Sequence, residues 1–275
     1  MAQNPASEQT PLFFPYTRKL CGFLVAPVSG YLDIIGRVIG QAQAMLPFFW
    51  KRRVNWEQII EEAEFIGFDA LGIALILSLF SGMVIALQVS HELVKQGAGQ
   101  YVGALVAIST LRELAPIMTG FAVIALNGSA YAAQLGTMNI QNQIDALRVL
   151  HVSPSRYLIL PKFLAAMWMV PLMSILSAMA GIIGGMVVSF YIADLNYSTY
   201  IESVWQQSQP MDVYACLIKG GVFGILIVLI STTFGMMTKE SAREVGLNTQ
   251  RAVVWSFVAM AVVDFVLSFI LFQGH

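Results

Sequence analysis

Long apolar stretches alternate with short polar ones along most of the chain. The hydrocarbon layer of a bilayer is about 30 Å thick and needs about 20 mostly apolar residues of helix to cross it. Five stretches meet that requirement, at about 66–90, 102–133, 158–192, 213–237 and 252–272. The pattern therefore predicts five membrane-spanning helices, with the second one broken at Pro116.

A different pattern precedes the first span. Apolar residues recur there at helical spacing and charged residues lie opposite them, with Leu32, Ile35, Val38 and Ile39 against Asp33 and Arg37. This arrangement predicts an amphipathic helix that lies on the membrane rather than through it. We expect an N-terminal cytoplasmic or interfacial segment over 1–54 and a five-span membrane domain over 55–275.

The composition agrees with a membrane protein. Of the residues, 57% are hydrophobic and 11% are charged, whereas about 25% are charged in an average soluble domain. The net charge of −1 gives no reason to expect a nucleic-acid partner. Twelve of the 15 basic residues fall in segments on one side of the membrane. Because cytoplasmic loops are enriched in Lys and Arg, we expect a cytoplasmic N-terminus and a periplasmic C-terminus.

Sequence motifs for catalysis are missing from the chain. It contains no GxxxxGK[ST], GxSxG or HExxH motif. Cys21 and Cys216 lack metal-ligand spacing, and the three histidines are scattered. We therefore expect neither an enzyme nor a resident cofactor or metal, and any ATP and Mg²⁺ would bind to a separate subunit.

The polar segment 134–156 lies between the second and third spans on the basic side. Within it Ile140, Ile144 and Leu147 fall on one helical face. One interpretation is a short amphipathic helix that takes up force from a soluble motor. The other is a solvated connector that merely lies on the bilayer.

Several motifs carry a resemblance to a known family. RELAPIMTG (112–120), GSAYAAQLGTM (128–138), QIDALRVLHVSPSRYLILPK (143–162) and KESAREVGLNTQRAVVWS (239–256) resemble the MlaE/YrbE family of ABC permeases, as does Asp264 in the last span. The resemblance implies an MlaE-like all-α permease fold with a cytoplasmic coupling helix at about 134–156. The positions expected to take part in ATPase coupling are Gln134, Gln143, Asp145, Ala146, Leu147 and Arg148.

The family also implies partners and a location. We expect an ABC ATPase subunit, a periplasmic MCE-domain protein, a second permease copy or paralogue, and membrane phospholipids. The complex would lie in a bacterial inner membrane and contribute to outer-membrane lipid asymmetry. ATP hydrolysis would drive movement of phospholipid, or of a similar hydrophobic molecule, between the membrane and the MCE conduit.

The sequence departs from the family pattern near the cytoplasmic end of the second span. Leu126 stands where an Arg is usual, Gln134 where a Glu is usual, and Asn142-Gln143 where a Glu-Glu pair is usual. One interpretation is a diverged paralogue that pairs with a different permease. The other is that polar amides hold the same geometry through hydrogen bonds.

Charged residues inside the spans are candidates for function. Arg112, Glu113 and Asp264 would each cost about 2.5–3.5 kcal/mol at mid-bilayer, so such residues usually face a polar cavity or a partner. The side chains of adjacent residues in a helix point about 100° apart, so Arg112 and Glu113 cannot both point directly at the same partner. We expect one to line a lipid-entry cavity and the other to tie span two to a neighbouring helix. The alternative is a structural ion pair near the outer headgroups.

The outer half of the first span supplies the apolar candidates for a lipid path, namely Leu79, Met83, Ile85, Leu87 and Leu93. Helix packing or plain lipid contact would explain the same residues. Three other functions compete with an ABC permease: a channel or ATP-independent transporter, an intramembrane enzyme, and a purely structural subunit. The first would need more ionisable residues along a path, and the second a nucleophile with its base.

Overall fold

The computed structural model of the chain describes residues 36–41, 43, 56–193, 195–239 and 241–273. Within these ranges the chain is helical and contains no strand. From Trp56 onward the helices are α1 (Trp56–Lys95), α2 (Gly99–Ile140), α3 (Gln143–Val149), α4 (Leu160–Ala193), α5 (Tyr197–Gln207), α6 (Pro210–Met237) and α7 (Ala242–Phe272). Five of them, α1, α2, α4, α6 and α7, are long and apolar enough to cross a membrane. The prediction of an all-α membrane protein with five spans is confirmed.

Two of the spans continue smoothly past a proline, contrary to the prediction that Pro116 breaks the second span. A π-helical turn, Thr110–Leu114, comes directly before the segment that contains Pro116. A second π-helical turn, Ser155–Ile159, leads into α4 two residues before Pro161. Proline removes one i→i−4 hydrogen bond and crowds the carbonyl four residues back. The wider π turn accommodates both changes, so α2 stays one continuous helix.

Glycines allow α1 and α4 to lie side by side at very short range. A Cβ atom on Gly82 would lie 2.0 Å from the carbonyl oxygen of Gly181. A Cβ atom on Gly184 would lie 2.4 Å from the carbonyl oxygen of Leu79. Close backbone approach through small residues is the main means by which helices associate in lipid. Gly181 and Gly185, spaced as GxxxG, therefore lie at a helix contact.

The N-terminal region is described only in part. Residues 36–41 and 43 are helical, and the Gln41 amide donates to Thr232 Oγ1 at 2.9 Å and accepts from Thr233 Oγ1. Val38 packs against the hydrophobic core. This helical segment is therefore anchored on α6. The rest of the predicted amphipathic helix lies outside the described residues, and the division into 1–54 and 55–275 stays a prediction.

Candidate functional site

A cluster of charges joins α2, α6 and α7 inside the membrane-spanning part of the protein. The fully buried Lys219 ammonium on α6 lies 2.6 Å from Glu113 Oε2 and 2.9 Å from Asp264 Oδ1. It also donates to Ser268 Oγ at 2.6 Å, and Ser268 donates to Glu113 Oε1 at 2.9 Å. Two carboxylates and one hydroxyl therefore surround the Lys219 ammonium. We call these four residues the Lys219 cluster.

Arg112 and Glu113 turn to different partners, as the angle between helix neighbours requires. Arg112 Nε donates to Asp212 Oδ1 at 2.6 Å, and its guanidinium lies 4.3 Å from the centre of the Phe272 ring. Asp212 is fully buried and also accepts from the Gln209 backbone N–H at 2.9 Å, which caps the start of α6. Both charges on α2 thus tie this helix to its neighbours.

Sequence reasoning missed the partners on α6. Asp212 and Lys219 were left out of the predicted site, although both lie in or beside an apolar span. They are seven residues apart, so they fall on one face of α6, two turns from each other. The available signal was charge balance, because charged residues such as Arg112 and Glu113 inside a span each require a counter-charge on another span.

The predicted coupling segment forms the short helix α3 between two turns. Ile144 is buried, Leu147 is half-buried, and the other α3 positions are exposed. Arg148 Nη1 lies 2.8 Å from Asp145 Oδ1 on the solvent side. One part of the prediction was wrong, because Ile140 ends α2 and does not continue into α3.

The reason for the break is the backbone at Asn142. This residue adopts the left-handed conformation with φ 57°, which asparagine tolerates better than most side chains. The turn ends α2 and separates α3 from it. Gln143, Asp145, Ala146 and Arg148 are thereby exposed together on one end of the helix bundle.

A second polar cluster holds together the helices that lead into and out of α3. Lys162 on α4 donates from Nζ to Glu62 Oε1 on α1 at 2.6 Å and to Gln134 Oε1 on α2 at 3.0 Å. Tyr131 OH donates to Glu62 Oε2 at 3.0 Å, and the Lys162 ammonium lies 4.2 Å from the centre of the Tyr131 ring. Both Lys162 and Tyr131 are buried. We call this group the Lys162 cluster.

Comparison with known proteins decides the family. The family model described as Permease MlaE matches residues 59–270, well over half of the chain. The chain belongs to the MlaE family. The "Probable ABC transporter permease protein" of Synechocystis sp. is 38% identical over 222 residues, which are 81% of this chain and 84% of that protein.

Two further relatives give a similar picture. A "Probable ABC transporter permease protein" of Rickettsia bellii is 35% identical over 215 residues, covering 78% of this chain and 83% of that protein. "Protein TRIGALACTOSYLDIACYLGLYCEROL 1, chloroplastic" of Arabidopsis thaliana is 34% identical over 224 residues, covering 82% of this chain and 64% of that protein. This MlaE permease is thus a multi-pass membrane protein of the ABC transporter permease family.

Positions where this MlaE permease departs from the family pattern make local contacts of their own. Leu126 packs against the main hydrophobic core. Gln134 accepts a hydrogen bond from Lys162 at 3.0 Å, and Gln143 donates to the Gln141 side chain at 2.8 Å. The Gln134 contact favours the interpretation in which an amide replaces a charge while the helix arrangement is kept.

The apolar residues predicted to line a lipid path lie along the outer half of α1 in two different settings. Leu79 and Met83 lie beside Gly184 of α4, and Ile85 and Leu93 pack against a small core at the start of α2. Leu87 is 50% exposed. A cavity between two permease copies needs both copies, so the lining role of these residues stays a prediction.

Sequence reasoning also missed an apolar groove on the flank of the bundle. It has a volume of about 740 Å³ and opens between the start of α1, α4 and α6. Trp168, Leu172 and Ile218 line it with exposed side chains. Such a surface suits an acyl chain or an apolar helix, because both bury hydrocarbon without needing polar partners.

Proposed function

We propose that this chain is the permease subunit of an ABC transporter that moves phospholipid, or a similar hydrophobic molecule, out of or into the membrane that contains it. The observation that carries the proposal is α3, a short exposed helix held between two spans in a member of the MlaE permease family. A lipid cargo is supported by the Arabidopsis relative, whose name is that of a lipid. The apolar character of α1 and of the flank groove fits such a cargo.

The coupling step follows from how α3 is attached. A separate ATPase subunit, with its ATP and Mg²⁺, would dock on α3 and press on Asp145, Ala146 and Arg148. Because Lys162 links α4 to α1 and α2 just inside the bundle, displacement of α3 moves three helices together. In a dimer of permeases this motion would open or squeeze the space between the two copies, where α1 offers its apolar outer half.

The partners and location are proposed on the same basis. A second copy of this chain or a paralogue completes the cavity, and an MCE-domain protein on the face opposite α3 receives or delivers the lipid. The membrane is a bacterial inner membrane. The N-terminus is cytoplasmic and the C-terminus periplasmic, since the basic segments gather on the α3 side.

A second candidate is a structural or regulatory permease paralogue within a heteromeric complex. It is favoured by the neutral residues at Leu126, Gln134, Asn142 and Gln143. Such a subunit would assemble with an ATPase without supporting lipid-dependent ATP hydrolysis. The hydrogen bond from Lys162 to Gln134 gives the active subunit more support.

The test is affinity purification of the full chain in mild detergent, with co-purifying proteins and lipids identified by mass spectrometry. Arg148→Glu should abolish recovery of the ATPase, because it reverses a charge on exposed α3. Lys95→Glu is the matched control, since Lys95 and Glu92 form the same kind of exposed i,i+3 pair at the opposite end of the bundle.

The outcomes separate the candidates. Recovery of an ATPase, an MCE protein and bound phospholipid, with ATP hydrolysis that rises on adding lipid, supports the transporter. An ATPase whose activity ignores lipid supports the regulatory paralogue. A chain that never brings down an ATPase overturns both and favours an ATP-independent transporter.

A further inference from the structure

The short helix α5 presents three different surfaces to its surroundings. Tyr200 and Ser203 are buried against the start of α2 and the end of α4. Tyr200 OH donates to the carbonyl oxygen of Ile182 at 3.1 Å, and burial raises the pKa of Tyr200, so this hydroxyl stays neutral. The first surface therefore fixes α5 to the end of the bundle opposite α3.

The second surface of α5 is apolar. Tyr197, Ile201 and Trp205 recur at i, i+4 and i+8, so they form one stripe along the helix. All three are exposed, and Trp205 is 81% exposed. A side chain of this size gains about 1.5–3 kcal/mol when it is fully removed from water. The stripe is thus a surface that favours contact with hydrocarbon.

The third surface is polar and lies beside the stripe on the same helix. Glu202 and Gln206 are exposed, and Gln206 Nε2 donates to Glu202 Oε1 at 3.0 Å. Each of these residues follows a stripe residue directly, so its side chain points about 100° away from it. An apolar stripe beside a polar face is the pattern of a helix that lies in a membrane interface.

The level of α5 in the membrane follows from the contacts of the spans. A Cβ atom on Gly185 would lie 3.4 Å from the Ala86 Cβ, so these two positions are level on α1 and α4. Five residues further along, which is about 7.5 Å of helix, α1 reaches His91 and α4 reaches Phe190. His91 and Glu92 are the first ionisable residues after the apolar run of α1. The hydrocarbon boundary therefore passes near Phe190.

The stripe begins at that boundary. The Tyr197 ring stacks on the Phe190 ring, with centroids 4.3 Å apart and planes 8° apart. Tyrosine and tryptophan are enriched at this level of membrane proteins because their rings combine apolar and polar parts. The stripe is thus continuous with the exposed apolar face of α4, on which Ile183 and Tyr191 lie.

The contacts of α5 also give its tilt. Ser203 lies against Gly103 of α2, and Gly103 is three residues beyond Val106, which is level with Gly185. Ser203 thus contacts a residue about 4.5 Å beyond the Gly185 level, and Tyr197 stacks on a residue about 7.5 Å beyond it. The axis of α5 advances about 9 Å between these two residues. A difference in depth of about 3 Å over that length means that α5 lies nearly flat on the membrane.

We infer that α5 is an interfacial helix whose stripe, Tyr197, Ile201 and Trp205, lies in the headgroup and upper acyl region of the leaflet opposite α3. The inference rests on the spans and their packing and does not need the proposed transport function. A lipid occupant is favoured over a protein because the stripe continues an apolar span surface at the hydrocarbon boundary. The polar residues Glu202 and Gln206 would meanwhile face water.

The test compares neighbouring positions on the two surfaces. In a chain with Cys21→Ser and Cys216→Ala, single cysteines replace Ile201, Glu202, Trp205 or Gln206 in turn, and each carries an environment-sensitive fluorophore. The full chain is placed in phosphatidylcholine and phosphatidylglycerol nanodiscs. Since all four side chains are exposed, the substitutions leave the packing of α5 intact.

We expect blue-shifted emission at 201 and 205, with loss of fluorescence when lipids carrying a nitroxide near the headgroup are included. Labels at 202 and 206 should emit as in water and lose no fluorescence. Water-like emission at all four positions would overturn the inference, and a stripe that becomes shielded only when a partner protein is added would assign it to protein docking. Quenching at all four positions would also contradict it, because α5 would then be immersed in hydrocarbon.

Discussion

Replacing Lys219 with methionine is the most informative perturbation of the membrane-embedded part. Methionine keeps the length and apolar stem of the side chain but removes the ammonium. The change deletes the ion pairs to Glu113 and Asp264 together with the hydrogen bond to Ser268. Three helices, α2, α6 and α7, then lose their shared polar contact.

The contacts that the two carboxylates keep after the change set the size of the loss in stability. Removing one partner of a buried ion pair costs about 3–5 kcal/mol, because the other charge stays buried without compensation. The Asp264 side chain is 15% exposed and the Glu113 side chain is 40% exposed. Glu113 keeps the hydrogen bond from Ser268, whereas Asp264 loses the cation that compensates its charge. We expect the free energy of unfolding to fall by an amount near the lower limit of that range, about 3 kcal/mol.

The assay is reversible unfolding of the purified chain by SDS in mixed micelles, analysed as a double-mutant cycle. Lys219→Met, Asp264→Asn and the double variant are compared with the unchanged chain. The double variant should be more stable than Lys219→Met alone, because it contains no aspartate whose buried charge lacks a counter-charge. The interaction energy should be on the order of 0.5–3 kcal/mol. Lys95→Met is the control, because its ion pair to Glu92 is exposed and contributes about 0–1 kcal/mol.

Two results would refute the reasoning. Unchanged stability of Lys219→Met would mean that the ammonium contributes nothing to holding the helices. Additive losses in the double variant would mean that Lys219 and Asp264 act independently, despite the 2.9 Å between their charged atoms. Either result would remove the electrostatic explanation for the contact of α2 with α6 and α7.

Three further changes test other parts of the fold and the site. Gly82→Ala should destabilise the chain by about 1–3 kcal/mol because its Cβ would collide with a carbonyl oxygen of α4, whereas Gly72→Ala, with open space around it, should not lower the midpoint of thermal unfolding. Tyr131→Phe should lower the free energy of unfolding by about 0.5–1.5 kcal/mol, because it removes one hydroxyl donor. Tyr157→Phe, at an exposed ring, should leave the midpoint of thermal unfolding unchanged. Asn142→Val should lower the free energy of unfolding by about 1–3 kcal/mol and reduce ATPase recovery in a pull-down, because valine resists the left-handed backbone conformation. Asn142→Gly should keep the stability and the ATPase recovery of the unchanged chain. Equal recovery for the two variants would contradict this role of the turn.

The spans were predictable because hydropathy is a local property. About 20 residues of sequence contain all the information needed to recognise a helix that crosses hydrocarbon. The segment between the second and third spans was predicted less well. Helical periodicity included Ile140 and Ile144 in one helix, whereas the left-handed Asn142 separates them. A single backbone angle of this kind leaves no trace in the periodicity of apolar residues.

The pairing of the buried charges was beyond prediction for a different reason. Spacing within a helix shows that Arg112 and Glu113 point in different directions, but it does not identify the helix that each one meets. Their partners, Asp212 and Lys219, are about a hundred residues away. Which of the lipid-path residues line a cavity could not be predicted either, because the membrane-spanning part of α1 is apolar all round and its sequence distinguishes no face.

The two polar clusters give α2 a particular place in the proposed mechanism. The Lys162 cluster joins α2 to α1 and α4 near α3, and the Lys219 cluster joins α2 to α6 and α7 near the other end. In the proposed mechanism, a force applied at α3 would therefore reach all five spans through α2. The π-helical turn Thr110–Leu114 contains Glu113 and comes just before Pro116, so the helix has a point of changed winding where it meets the second cluster. Weakening either cluster should leave ATPase docking intact while reducing the lipid dependence of ATP hydrolysis, because docking depends on the surface of α3 and transmission depends on the contacts of α2.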